Sequence, residues 1–323
     1  MKNKDIKMDL TEIFSLSFWK IRNKDIKLDV PELLFLGSCL VTAFVTLFFI
    51  GFVFHTAMPI FQKEGLLNFI LGTEWNYKSG VYGIRIFIIG TIIMTLITLI
   101  LAVPVSIFTA IFLSEFAPLK VVSVFRPLIE LLVGIPSVVY GIFGLKVLED
   151  IFQNNLDPFL NSISPMLPFF RDFSPERGTG VLLASTVLAI MILPTIISLS
   201  EDAMRSVPSE YREASIALGA TKWETIRGVV LPTSRGGILS AIILGTMRAM
   251  GETMAIVMLL GNTARVPRSL LDTGYAMTSK ILNDIGYYVS MDEPRSALFG
   301  IAAVLFAIEI IFVGLAKLAG GRT

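Results

Sequence analysis

Apolar residues fall into six long stretches, near 33–54, 86–113, 128–148, 180–199, 238–260 and 297–316, and the segments between them collect Lys, Arg, Asp, Glu, Asn and Pro. A helix needs about 20 residues to cross a hydrocarbon core about 30 Å thick, and each stretch reaches that length. The pattern predicts an all-α, polytopic membrane protein with six transmembrane helices. The stretch 86–113 exceeds the minimum, which predicts tilt or a bend at Pro104. Pro136 and Pro194 remove backbone donors from the third and fourth stretches, and lipid tolerates this only where neighbouring helices or water take up the freed carbonyls. The helices must therefore pack against partners.

Residues 1–32 stay polar and lack the basic, apolar and small-residue order of a cleaved signal sequence, so the first apolar stretch is expected to remain as an anchor. Within this arm "NKDIKMDL" from Asn3 returns as "NKDIKLDV" from Asn23, and Leu10, Ile13, Phe14, Phe18 and Ile21 recur at helical spacing beside Trp19. That spacing fits either a helix lying on the membrane surface or a tether with a duplicated flank. The organisation expected is an arm over 1–32, a membrane domain over 33–316 with a long polar loop at 200–235, and a tail over 317–323. Six crossings put both ends on one face. With the N-terminus inside, the segments on that face carry 7 Lys and Arg in the arm, 2 in 114–126, 5 in 200–235 and 2 at the C-terminus, against 10 on the other face. The excess predicts cytoplasmic N- and C-termini, a cytoplasmic 200–235 loop, and polar external loops such as 149–178, in the cell's inner membrane.

Composition agrees with the pattern. Of 323 residues, 54% are hydrophobic and 16% charged, and the mean hydropathy is +0.74. A net charge of +1 argues against nucleic acid as a partner, since a polyanion-binding surface needs a clustered basic excess. The single cysteine, Cys39, excludes an internal disulfide and a multi-cysteine metal site. The single histidine, His55, ends the first stretch with no nucleophile or metal partner in sequence, a position suited to anchoring at the interface. No Gly-x-x-x-x-Gly-Lys-[Ser/Thr] occurs, so the chain has no phosphate cradle of that kind for a nucleotide. It is not expected to be an enzyme by itself.

The 200–235 loop is punctuated for two short helices. Pro208 suits a first helical turn, Gly219 a left-handed C-terminal cap, Thr221 and Glu224 a reciprocal capping box, and Pro232 the close of the second helix. A flexible linker would connect two membrane helices equally well, so a capped elbow reads as a docking element.

The fifth stretch contains "GTMRAMGETMAI", with Arg248 and Glu252 near mid-depth. An isolated charge at a helix centre costs about 2.5–3.5 kcal/mol on insertion, so both are expected to face protein or water. Four residues advance a helix by about 400°, which would leave the two side chains roughly 40° apart on one face. Gly245, Ala249 and Ala255 fall on or near that face, and Met247, Met250, Met254, Val257 and Met258 surround it. The pair suits either an internal salt bridge that lowers the insertion cost, or a guanidinium fork for a passing oxyanion with Glu252 competing for the same donors. Gly134, Pro136, Ser137 and Gly141 mark a place in the third stretch where a broken helix could turn carbonyls or a hydroxyl to a pathway. Glu309, inside the sixth stretch, reads better as a snorkelling or interhelical partner than as a pathway residue.

The segment "EASIALGATKWETIRGVVLP" resembles the signature loop of permease subunits in binding-protein-dependent ABC importers. Glu213, Ala214, Gly219, Leu231 and Pro232 match the pattern, while Ser215 and Val229 depart from it conservatively. The stretches "GTEWN", "AVPVSIFTAIFLSEFAP", "RPLIELLVGIPSVVYGIFGL" and "MRAMGETMAIVMLLGN" are similar to the first of the two permease types of the phosphate-specific ABC importers. The resemblance covers roughly 72–262 and is weak in the arm. It implies the type I importer permease fold and a pore shared with a second homologous permease. It also implies two copies of an ATPase that bind ATP and Mg, and an extracytoplasmic phosphate-binding protein. No cofactor is implied on this chain. Glu213, Ala214, Ser215, Gly219, Leu231 and Pro232 would form the loop that the ATPase drives, and Arg248, Glu252 and Ser137 would line the route of the anion. Sulfate, molybdate or a phosphonate could replace phosphate as the tetrahedral cargo, and an ion-coupled secondary transporter using Arg248 and Glu252 as a relay is the reading from another class.

Overall fold

A computed structural model describes residues 30–171 and 178–320. The arm before residue 30, with its repeat and its surface-helix spacing, and residues 321–323 of the tail lie outside the described residues. Five helices are long and apolar enough to cross a membrane. They are α1 (Val30–Glu64), α3 (Arg85–Ile111, extended by a π-helical turn at Phe112–Phe116), α6 (Val181–Arg205), α8 (Lys222–Gly251) and α11 (Asp292–Gly320). A bent pair, α4 (Leu119–Val133) and α5 (Ser137–Ser162), makes a sixth if its halves count as one crossing. The protein is a polytopic, nearly all-α membrane protein. Its shorter elements are α2 (Leu66–Leu71), the strands β1 (Trp75–Asn76) and β2 (Val81–Tyr82), α7 (Ser209–Ala217), α9 (Met254–Leu259) and α10 (Met277–Tyr288).

Residues up to Phe52 make up one compact unit and Val53 onward the other. In the first, Phe44, Phe48 and Phe52 stack at four-residue intervals, with ring centroids 6.2 and 6.4 Å apart. The hydroxyls of Ser38, Thr42 and Thr46 donate to carbonyls one turn back at 2.9 Å, which hides them from lipid within the helix itself.

The second unit is organised around α6, whose most apolar window is 67% buried, against 39% or less in the other spanning helices. α6 packs between α3 and α8. Thr98 and Ser185 hydroxyls donate to Ser185 and Met94 carbonyls at 3.4 and 3.1 Å across the α3 contact. A methyl group on Gly245 would stand 2.6 Å from Ile196, and one on Gly237 2.4 Å from Ala203, so these glycines set how closely α8 approaches α6.

At the far end of α3 the β1–β2 hairpin folds onto α10. Lys280 is buried among the rings of Trp75, Tyr77, Phe87 and Tyr275, at 5.0–5.5 Å from their centroids, and pairs with Asp284 at 2.5 Å. Tyr77 stacks on Tyr288 at 3.7 Å and donates its hydroxyl to Asp284. Burial first, and then that hydrogen bond, pushes the Tyr77 phenol upward, and burial with Glu293 and Glu64 nearby pushes Tyr82 up to about 12.

Three expectations need correction, while the break expected in the third stretch is found: α4 and α5 meet at 94° across Gly134–Ile135–Pro136. The fifth is not continuous over 238–260, since α8 ends at Gly251 and α9 begins at Met254. Residues 149–162 are helical rather than loop. Pro232 does not close a helix either: a π-helical turn at Ile226–Val230 precedes it, with the Leu231 amide donating to the Ile226 carbonyl, and the wider turn absorbs the donor that Pro232 lacks.

Candidate functional site

Arg248 stands one turn before the end of α8, half-buried, and its Nη1 donates to Thr195 Oγ1 of α6 at 3.1 Å. It has no carboxylate partner among the described residues. The expected pair with Glu252 is absent, because the chain leaves helical geometry at Glu252, with φ −65° and ψ 136°. Gly251, a poor helix former, and β-branched Thr253 weaken the helix there. Glu252 Oε1 accepts from the amides of Thr253 and Ala255 at 3.1 and 3.5 Å and so starts α9. Its carbonyl, cut off from the helix, accepts from Thr278 Oγ1 of α10 at 2.8 Å.

The bend between α4 and α5 is built on the same principle. Pro136 has no N–H to offer the Leu132 carbonyl four residues back. The Tyr140 hydroxyl donates to that carbonyl instead, at 3.0 Å. Ser137, the first residue of α5, is half-buried and makes no hydrogen bond to Arg248 among the described residues. Tyr140, one turn on, does lie in the electrostatic field of Arg248. Close contact brings the two breaks together: a methyl group on Gly141 would meet Met258 Sδ at 2.6 Å, and one on Gly144 would meet Leu259 at 2.8 Å. Beyond α9 the chain reverses at Gly261 and Asn262, both at positive φ, and returns beside the start of α6, with Gly274 bonded to Leu260 and Val181 to Asp272. Glu309 of α11 faces the α8 break, its Oε1 4.0 Å from where a methyl on Gly251 would stand.

Arg248 and Thr195 thus meet across α8 and α6, Tyr140 closes the α4–α5 bend nearby, and Glu309 faces the α8 break from α11. The sequence reading did not single out Tyr140 or Thr195, and it took Glu309 as a snorkelling or interhelical partner. The signal available was Pro136, which orphans a carbonyl that a hydroxyl one turn later can reach. A separate cleft of about 500 Å³, lined by His55, Lys63, Asp292, Glu293 and Arg295, is not an anion site of this kind, because Lys63 pairs with Glu293 and Arg295 with Asp292.

The elbow forms as its punctuation requires. Pro208 stands just before α7 rather than in its first turn. α7 ends in a Schellman cap, with Gly219 N donating to Ile216 O at 2.9 Å and Ala220 N to Ser215 O at 3.2 Å, and Gly219 at φ +89°. Thr221 and Glu224 cap the start of α8 reciprocally, the Thr221 amide reaching Glu224 Oε2 at 2.7 Å and the Glu224 amide Thr221 Oγ1 at 3.3 Å. Ser215 Oγ lies 3.0 Å from Thr225 Oγ1 and ties α7 to α8. Glu213, Ala214 and Pro232 are exposed, and Leu231 is half-buried. Around Glu213 the elbow presents Tyr211, Ile216 and Trp223, and Leu218 is 90% exposed at its tip. An apolar surface of this kind beside a carboxylate, away from the spanning core, is characteristic of an interaction site.

The pattern shared by binding-protein-dependent transport system inner membrane components matches residues 102–322. The chain belongs to that family. Among relatives, this permease is 39% identical to the "Phosphate transport system permease protein PstC" of Xylella fastidiosa (strain Temecula1), over 80% of this chain and 79% of that protein. It is 38% identical to the "Probable ABC transporter permease protein YqgH" of Bacillus subtilis (strain 168), over 79% of this chain and 78% of that one. Among solved structures, an inward-facing MetNI methionine ABC transporter chain aligns over 74% of this permease and 92% of its own length, at 18% identity and a TM-score of 0.45. The region of the family match contains the elbow, both helix breaks and Arg248.

Proposed function

We propose that this permease carries inorganic phosphate across the cytoplasmic membrane in an ATP-driven importer that works by alternating access. The observation that carries the reading is Arg248: a guanidinium on a spanning helix whose hydrogen-bond partner is the neutral Thr195 hydroxyl. Five N–H donors in a planar fork suit a tetrahedral oxyanion, each charge-assisted bond being worth about 1.5–3 kcal/mol. Thr195 orients the fork, and the Glu252 carboxylate, held by two amides, keeps α8 broken so that Arg248 sits one turn from a helix end. Ser137 and Tyr140 flank the route at the α4–α5 bend, and Glu309 of α11 borders it at the α8 break. The name carried by the Xylella relative supports phosphate as the cargo.

In this reading the N-terminus, the C-terminus and the elbow are cytoplasmic. A second homologous permease completes the pore, and two copies of an ATPase, holding ATP and Mg, dock on Glu213 and the apolar residues around it. An extracytoplasmic binding protein delivers phosphate to the opposite face. Nucleotide-driven closure moves α7 and Gly219, the attached helices reorient, and hydrolysis resets them.

The test is uptake of radiolabelled phosphate by cells carrying Arg248→Gln, with assembly followed by co-purification of the second permease and the ATPase. We expect uptake to be lost and assembly kept. Normal uptake by an assembled variant overturns the role of Arg248. Competition by unlabelled sulfate, molybdate or phosphonate separates phosphate from the other tetrahedral anions. Collapse of uptake on protonophore addition with ATP maintained would favour an ion-coupled carrier instead.

A further inference from the structure

The elbow is covalently continuous with α6 on one side and with α8 on the other. It has no such link to α3, yet α3 ends directly on it. The joint is the π-helical turn Phe112–Phe116, and three charged side chains of the elbow region grip it. Arg212 Nη2 reaches Glu115 Oε1 at 2.8 Å, with only 9% of the Glu115 side chain exposed. The same guanidinium donates to the Met204 carbonyl in the last turn of α6 at 2.8 Å and to the Val207 carbonyl just beyond that helix. Arg205 Nη2 donates to the Leu113 carbonyl at 3.2 Å while pairing with buried Glu201. The Lys222 ammonium stands 4.8 Å over the Phe116 ring. Beneath these contacts Ala110 and Ile111 pack with Met204, Val207, Ile226 and Val230.

From this joint α3 runs about 40 Å at 1.5 Å per residue. Near its other end Thr91 Oγ1 accepts from the Met277 amide at 2.9 Å, and Gly90 lies so close to Tyr275 that a methyl there would stand 2.2 Å from the Tyr275 carbonyl oxygen. Thr278, the next residue, holds the Glu252 carbonyl at the break that follows Arg248. A continuous series of packed groups thus leads from the elbow along α3 to the break.

We propose that Glu115 is a positioning residue for energy coupling. Held by Arg212, it makes α3 move as one body with the elbow, so that a push on α7 reaches the Glu252 break through Thr91, Met277 and Thr278. This rests on the reading of the chain as an ATP-driven phosphate permease. Arg212 also satisfies the Met204 and Val207 carbonyls and would be costly to remove, whereas among the described residues the hydrogen bond of the Glu115 side chain runs across the joint. Glu115 is therefore the residue to change.

The experiment uses the whole complex in proteoliposomes with its binding protein. It measures radiolabelled phosphate uptake, ATP hydrolysis, and the stimulation of hydrolysis by the binding protein. For Glu115→Gln we expect the complex to assemble, hydrolysis to continue, and both phosphate moved per ATP and binding-protein stimulation to fall about tenfold, within the usual range of coupling effects. Glu115→Asp, which keeps the charge and therefore the fold should Gln disturb assembly, is expected to recover part of both ratios. Unchanged ratios in an assembled Glu115→Gln complex, or an equal loss of hydrolysis and uptake, overturn the proposal. If the unaltered complex takes up no phosphate, the substrate reading fails, and stimulation by the binding protein still decides the role of Glu115.

Discussion

Tyr140 and Pro136 are coupled through one carbonyl, and a double-mutant cycle measures the coupling. The Leu132 oxygen accepts from the Tyr140 hydroxyl at 3.0 Å, and its backbone donors are the Gly134 amide, two residues on, and the Ile135 amide, stretched to 3.4 Å. When the hydroxyl is removed, the carbonyl is left with these weak backbone contacts. Tyr140 is 7% exposed, so Phe keeps the apolar packing and deletes only the bond. A net hydrogen bond is worth about 0.5–1.5 kcal/mol, and stranding a buried acceptor costs about 1–3 kcal/mol. The weak Ile135 bond places the cost of Tyr140→Phe near the middle of that range, about 1–2 kcal/mol. Pro136→Ala restores the peptide N–H that a helix would offer the same carbonyl. In that background Tyr140→Phe should cost less than about 0.5 kcal/mol, giving a coupling of about 1 kcal/mol. The assay is unfolding of the purified permease in detergent for the four members of the cycle, with uptake measured in parallel. Costs that add to within about 0.3–0.5 kcal/mol would show that Tyr140 does not substitute for the missing amide.

Two further outcomes are expected. At Gly219, φ is +89° and no atom lies within 4 Å of an added methyl, so a substitution there is penalised by the backbone alone, by about 1–2 kcal/mol. Gly219→Val should lower phosphate moved per ATP while Gly219→Asn, which tolerates the left-handed region, largely keeps it; equal effects of Val and Asn would refute the cap as a mechanical element. At the hairpin, burial and nearby Glu293 and Glu64 push the Tyr82 phenol up to about 12, so its contribution to stability is complete below the ordinary phenol value and is lost as pH rises toward 12. Tyr82→Phe should remove one late-ionising phenol from a spectrophotometric titration and flatten part of the fall in thermal stability above pH 10; a Tyr82 titrating with the ordinary phenols would contradict its burial.

The features legible in the sequence are those whose causes are local. Apolar length placed the membrane helices, and the elbow followed from neighbours in the chain, because a capping box and a Schellman cap are closed within six residues. The break in the third stretch was legible at Pro136, whose freed carbonyl is satisfied by a hydroxyl one turn later; the break after Gly251 was not, because a group that satisfies it comes from elsewhere. Thr278, 26 residues on, holds the Glu252 carbonyl, and the Glu252 carboxylate serves amides that a continuous helix would have used internally. Apolar periodicity carried the helix straight through 251–253 for that reason, and it paired Arg248 with the wrong partner. The return 260–276 carries polar residues, yet Asp272, Thr273 and Ala276 are buried, and its backbone bonds at Leu270, Asp272 and Gly274, to Leu182, Val181 and Leu260, replace water. The failures of local reading cluster on one side of α6 and converge on Arg248. An interrupted spanning helix leaves backbone groups that must be satisfied from outside, and a chain retains such a cost where the interruption serves the site. Arg248 gains from it a position beside a helix end, with Thr195 across the contact and, among the described residues, no carboxylate paired with it. A straight α8 would have set Glu252 one turn away on the same face, and the guanidinium would have been occupied by its own chain.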